Sequence, residues 1–245
     1  MALTRTVTHG ANISTAVATT AVTHTITATS LVVCIFQAPD NIVHVSDAAT
    51  PMTVSGTAMS WTKVAEVTPA TGSTKSITRM YAAISNGAGS RTFTHTRANT
   101  TTFDRRLSVY AFEGALTTVA TAIPSGNRFA NSTPAANSSQ SITPAGAGSM
   151  ILGAIGDWNQ TNTYAALSNN TLSNPSNIAG QYTATMVEPT TNPLASGAAF
   201  TWGANTTGGS CTYCVIEIVP AGGAAATSLP LFGMQRRFFT RRINR

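Results

Sequence analysis

Val22-Thr23-His24-Thr25-Ile26-Thr27-Ala28, followed closely by Ser30-Leu31-Val32-Val33-Cys34-Ile35-Phe36, sets two kinds of strand side by side. In the first, threonine takes every second place, so Thr23, Thr25 and Thr27 share one face of a strand while Val22, Ile26 and Ala28 take the other. That is the pattern of a half-buried strand. The second is apolar at every place from Leu31 to Phe36 and is bounded by Ser30 and Ala38-Pro39-Asp40. A short apolar run without alternation predicts a central strand covered on both faces, as in a sandwich core.

Working outward, Thr4 to His9 repeats the threonine alternation. Further strands are expected at Val43 to Ser46, Trp61 to Thr68, Ile77 to Ser85, Arg91 to Arg97, Leu107 to Phe112, Ser149 to Ile155, Gln181 to Val187, Ala198 to Trp202 and Thr212 to Val219. Turn signals stand between them: Ser85-Asn86-Gly87, Pro124-Ser125-Gly126-Asn127, Asn169-Asn170, Ser173-Asn174-Pro175 and Thr207-Gly208-Gly209. No ten-residue amphipathic helix interrupts this series, so the pattern predicts an all-β fold, an antiparallel sandwich or barrel and not a parallel α/β sheet. The stretch Ala130 to Gly148 has little to bury and is expected as a long surface crossover of the kind jelly rolls and Greek keys need; a boundary between two domains is the alternative, but only about four strands are expected after it.

Composition agrees. The chain has 245 residues, 42% of them hydrophobic and only 9% charged. That is too apolar and too poor in charge for a disordered protein. Thr, Ser, Asn, Gly and Ala dominate, and lysine occurs only at Lys63 and Lys75. β-Branched Thr suits a pleated, solvent-facing position, and the small polar residues suit turns. No apolar run approaches the length of a membrane-spanning helix. Met1 to Ser14 lacks an apolar segment, so it does not read as a secretory signal.

The clearest boundary comes late. Residues 1–220 are expected to form one domain, 221–230 a Gly/Ala-rich linker, and 231–245 a basic arm. Residues 1–230 hold nine Lys/Arg against eight Asp/Glu, a balance of +1, whereas the arm supplies the other five charges of the net +6. Its arginines, Arg236, Arg237, Arg241, Arg242 and Arg245, are interleaved with apolar residues that include Phe232, Met234, Phe238 and Phe239. Positive charge seeks an acidic surface and the apolar residues can fill grooves, which suits a peptide that docks on a partner. A solvated tail is the plain alternative. Nucleic acid is a rival partner; nothing in residues 1–230 extends the basic surface, so it is not expected.

Signals for chemistry are sparse. Cys34, Cys211 and Cys214 lie in or beside apolar strands and read as buried free thiols. Cys211-Thr212-Tyr213-Cys214 resembles half of a zinc site, but positions three apart in a strand face opposite ways and no second pair completes it. His9, His24, His44 and His95 are isolated, with His24 and His95 expected at the surface or an edge. The eight acids, among them Asp47, Glu66, Asp104 and Asp157, are scattered singly, and no nucleophile motif appears. No catalytic, metal or cofactor residues are therefore assigned. Trp158, Tyr164 and Trp202 fall at or near expected loops, where aromatic faces beside Asn and Asp suit a glycan; closing the ends of the core is the structural alternative.

One succession looks familiar: Ser30-Leu31-Val32-Val33, Val45-Ser46-Asp47, Trp61-Thr62, Met80-Tyr81-Ala82, Thr92-Phe93-Thr94 and Val109-Tyr110-Ala111-Phe112-Glu113-Gly114. It resembles a jelly-roll module of tailed-bacteriophage virion proteins over about residues 30–115. The chain departs from that pattern in the long stretch Ala48 to Ser60 and in Glu113, where a small residue is common. The resemblance implies a non-enzymatic virion structural protein, of the minor tail or capsid decoration kind, assembled in the host cytoplasm without membrane or cofactor. Its partners would be other virion subunits and further copies of itself. The alternative expectation is a carbohydrate-binding module that adheres to a host surface glycan.

Overall fold

The computed structural model describes residues 2–11, 13, 17–40, 47–67, 75–98, 105–133, 137–157, 163–178, 182–195, 197–206 and 211–222. The expected strand Val43 to Ser46, Trp158, His44, Asp104, nearly all of the linker and the whole arm 231–245 lie outside them.

Sixteen strands and one short helix appear among the described residues. The first eight are β1 (Thr4–His9), β2 (Thr19–Ile26), β3 (Ser30–Asp40), β4 (Asp47–Val54), β5 (Thr62–Val67), β6 (Lys75–Ile84), β7 (Gly89–Arg97) and β8 (Arg106–Glu113). They form a five-stranded sheet in the order β1-β8-β3-β6-β5 and a three-stranded sheet β2-β7-β4. After helix α1 (Val119–Ala122) and a 3₁₀ turn (Ser125–Asn127), eight more follow. These are β9 (Arg128–Thr133), β10 (Asn137–Ile142), β11 (Met150–Asp157), β12 (Tyr164–Ala166), β13 (Asn170–Ile178), β14 (Tyr182–Pro189), β15 (Phe200–Thr206) and β16 (Cys211–Ile218). Their sheets run β9-β16-β11-β14-β13 and β10-β15-β12.

Numbered within its own half, each strand of the second unit has the same neighbours as its counterpart in the first. First pairs with last, second with seventh and third with sixth, always antiparallel. The chain is thus all-β, as the sequence predicts. Where the sequence predicts one sandwich over residues 1–220, however, two of identical strand order stand back to back.

Three cores account for this arrangement. Val32, Cys34, Phe36, Leu107, Val109 and Phe93 fill the space between the two sheets of the first unit. Ile151, Ile155, Trp202, Cys211, Tyr213 and Val215 do the same in the second. The third and largest core lies between the two five-stranded sheets: Leu31, Val33, Ile35, Met80, Tyr110 and Phe112 meet Leu152, Ala154, Met186, Cys214 and Ile216. Layers of three, five, five and three strands result. Odd positions of β3 face the other unit and even ones the inner core of their own, which is why Leu31 to Phe36 is apolar throughout.

Polar pins fix the register of the two units at one end of this interface. Gln37 donates from Nε2 to the Ile155 carbonyl (3.0 Å) and accepts from Arg106 (2.7 Å), and the Ser76 and Thr212 hydroxyls are 2.6 Å apart. Gly156 permits this approach, since a Cβ there would stand 2.5 Å from Ser76 Oγ. Arg5 of edge strand β1 forms an ion pair with Glu188 of β14.

Several expectations require correction. Ala130 to Gly148 is no bare loop: it carries β10 and part of β9, whose inward places include Ser138 as well as Ile142. Ser173-Asn174-Pro175 is not a turn between elements but a register shift inside β13, between Ser173 and Ser176. A sheet edge is where Pro and a bulge are tolerated. Most of Ala48 to Ser60 belongs to β4 and its continuation.

Candidate functional site

The sequence scatters its acids, but the fold of the first unit gathers two of them with two cations. Asp47 enters at the start of β4, Lys63 and Glu66 come from β5, Arg79 and Tyr81 from β6, and His95 from β7. Lys63 and Glu66 are three apart and would normally point to opposite faces of a strand. The β5–β6 register shifts between Lys63 and Ala65, and this extra residue brings both side chains to one side.

Asp47 is the hub. Its Oδ1 accepts from Arg79 Nη1 (3.0 Å) and lies 3.1 Å from His95 Nε2. Its Oδ2 accepts from Tyr81 Oη (2.5 Å) and, at longer range, from Lys63 Nζ (3.4 Å). Glu66 accepts from Arg79 Nε (2.6 Å) and from Lys63 Nζ (2.5 Å). Four donors match the acceptor capacity of one carboxylate, so Asp47 is saturated.

Burial opposes ionisation of Asp47, but hydrogen bonds from His95 and Tyr81 and the Arg79 charge outweigh it and hold the carboxyl well below the usual range. Glu66 is lowered as well, burial again being outweighed by Lys63 and Arg79. Burial lowers His95 despite its acidic neighbour, and pushes the Tyr81 phenol up together with the Asp47 bond. His95 is therefore a neutral imidazole that donates from Nε2 to Asp47, stacked on Phe36 with ring centroids 3.9 Å apart.

Beside this cluster opens a cleft of about 470 Å³, lined by Asp47, Ala48 to Met52, Met59, Trp61, Lys63 and Tyr81. Its floor is polar and its wall is carbon. The buried members, Arg79, Tyr81 and His95, are locked in place, whereas Lys63 keeps 40% of its side-chain surface exposed. Among the described residues that line the cleft the hydroxyls are those of Thr50 and Tyr81, and the Tyr81 hydroxyl is given to Asp47.

His24 and His95, expected at the surface or an edge, are both buried on inward-facing sides in the first unit: His24 does lie on an edge strand, β2, whereas His95 lies on the central strand β7. His24 lies between the hydroxyls of Thr6 (3.1 Å) and Thr8 (2.8 Å). Trp202, a candidate glycan contact, has no exposed surface: its ring fills the second unit's core and Nε1 donates to the Val187 carbonyl (2.8 Å). A ring with neither face open cannot stack on a sugar. Tyr164 sits half-buried on β12 against that same core, and Trp158 lies outside the described residues. The cysteines are free and buried, with Cys211 and Cys214 in different cores on opposite faces of β16. Among the described residues no group of three or more His, Cys, Asp or Glu side chains comes together to hold a metal.

These titrating groups set an expected pH dependence. Burial lowers His24 and His95, and burial with the nearby Arg106 and Arg5 charges lowers His9 to about 4. Below the ordinary histidine value of about 6.5 the unfolded chain takes up protons that the folded chain refuses, so stability falls as the pH drops. Below about 4 the depressed Asp47 and Glu66 add a second loss of the same sign, because the unfolded carboxylates protonate first. Thermal melts from pH 8 to 3 should show a falling Tm that begins near pH 6.5 and steepens below 4. A Tm constant from pH 7 to 5 would contradict the histidine assignment.

No family model, curated protein or solved structure matches the chain.

Proposed function

We propose that the protein is a non-enzymatic structural subunit of a bacteriophage particle, a minor tail or capsid decoration protein, held to its neighbours by the basic arm 231–245. One observation carries the reading: two eight-stranded units of identical order, fused through their larger sheets into a four-layer block. The order first-last-third-sixth in one sheet, opposite second-seventh-fourth in the other, is how we read each unit as a jelly roll, an architecture frequent in viral capsids and lectins. Such a block is a rigid spacer with most of its apolar residues spent internally. Among the described residues the only large hydrophobics counted as exposed are Val7 and Val17, so the block offers little apolar surface for docking and the arm becomes the natural point of attachment.

Quantitative mass spectrometry of purified particles tests this. The chain should be present at a fixed copy number, and deletion of residues 231–245 should abolish incorporation while leaving the thermal melt of the block unchanged. Salt should weaken attachment, since five arginines act through screened charge. Absence from particles, or equal incorporation without the arm, would overturn the proposal.

A further inference from the structure

The cleft beside Asp47 has a chemistry of its own, independent of any particle. Its wall is built from Pro51, Met52, Met59 and Trp61. The Trp61 Nε1 atom is enclosed, so the part of the indole that reaches the cleft is carbon. The ring is braced edge-on by Phe93, with centroids 6.1 Å apart and planes at 86°. On the opposite side, Lys63 has given donors to Glu66 and Asp47 and, as a three-donor ammonium, keeps one for a ligand oxygen. The β4–β7 register also breaks between Asp47 and Met52, so backbone groups of residues 48–50 fall outside the cross-strand pairing and border the cleft.

The charges at this site balance among the described residues. Of the charged groups that line the cleft or bond to its members, Asp47 and Glu66 oppose Lys63 and Arg79, and His95 is neutral; Arg97, opposite Asp47 in the β4–β7 register, donates to the Val17 carbonyl and does not line the cleft. A charged ligand would therefore meet no unpaired countercharge, whereas a neutral one disturbs nothing. The matching ligand has one flat C–H face, a rim of hydroxyls and no net charge, and it fits a volume within the usual range of about 300–1,000 Å³ for ligand pockets.

We propose that this cleft binds a neutral saccharide, with a pyranose ring laid on Trp61 and its hydroxyls bridging Lys63 and the backbone of residues 48–50. Asp47 is a positioning residue here: held by Tyr81, Arg79 and His95, it fixes, together with Glu66, where the Lys63 ammonium stands. Such a site lies on the first unit, remote in sequence from Trp158, Tyr164 and Trp202. It does not depend on the arm or on a virion.

The test uses the isolated full-length chain on an array of neutral hexose and N-acetylhexosamine oligosaccharides, with sialylated and sulfated glycans alongside, followed by calorimetric titration of the strongest neutral binder. Three variants are compared, each checked by its melt. Trp61→Ala removes the platform, Lys63→Met removes the donor, and Thr50→Trp, at an exposed lining position, fills the cleft without touching the core. Wild type should bind neutral glycans, and Trp61→Ala and Thr50→Trp should each weaken binding at least about tenfold. Thr50→Trp keeps the test decisive if Trp61→Ala fails to fold. The proposal is overturned by an array with no neutral binder, by binding confined to acidic glycans, or by undiminished affinity in Thr50→Trp.

Discussion

Trp202→Ala is expected to destabilise the protein by about 4 kcal/mol, the usual scale for emptying a fully buried aromatic site. The indole is the largest side chain in the second unit's core. It packs against Tyr213 with centroids 5.5 Å apart and carries the hydrogen bond to Val187. Its partner in shape is Gly153 of β11. A Cβ at Gly153 would stand 2.1 Å from Trp202 Cζ2, far inside contact distance, on a central strand with no room to shift. Gly153→Ala alone should therefore cost about 3 kcal/mol through overpacking. The double variant should cost clearly less than the two singles together, because the added methyl occupies space the indole has left. Urea unfolding of the three variants measures this, and strict additivity would refute the packing.

Asp47→Ala is the second large expectation. Removing the hub leaves Arg79 with only half its carboxylate partners and leaves the Tyr81 hydroxyl and the His95 Nε2–H without the acceptor they share. Breaking a buried ion pair in this way costs about 3 kcal/mol, at the lower end of the range because Glu66 still holds Arg79. For a chain of this size that corresponds to a Tm lower by roughly 6–12 °C. The variant should also lose part of the acid limb below pH 4, since a carboxyl held well below the usual range is gone. A loss under about 1 kcal/mol would mean that the cluster is solvated and adds little.

Much of the fold was legible where side chains obey one rule at a time. The alternation in β2 placed Val22 and Ile26 inward and Thr23 and Thr25 outward, as found. The continuous run Leu31 to Phe36 correctly marked a strand with no face to water. What it could not say is that its two faces belong to different cores, because leucine, valine and isoleucine serve both equally. The duplication was likewise hidden at the level of residues. One echo survives in the sequence alone: Ala-Asn-Thr-Thr occurs at positions 98–101 and again at 204–207.

β10 escaped notice because an inward position is filled by Ser138; on the paired strand Gly203 lets the two backbones approach closely, since a Cβ at Gly203 would strike the Ser138 carbonyl. The site was harder still. Lys63, Glu66 and Asp47 share a face only because β5 and β4 slip register, and a slip leaves no mark in hydrophobic periodicity.

The back-to-back seam also has a consequence during synthesis. When the first eight strands emerge from the ribosome, the side of their larger sheet that carries Leu31, Val33, Ile35, Tyr110 and Phe112 has nothing to lie against. Its cover, β11, β14 and β16, is complete only about a hundred residues later, roughly 5–20 s at ordinary elongation rates. For that interval the nascent chain exposes a broad oily plane, and a chaperone, or a neighbouring nascent chain on the same messenger, would find it before the protein's own second half does.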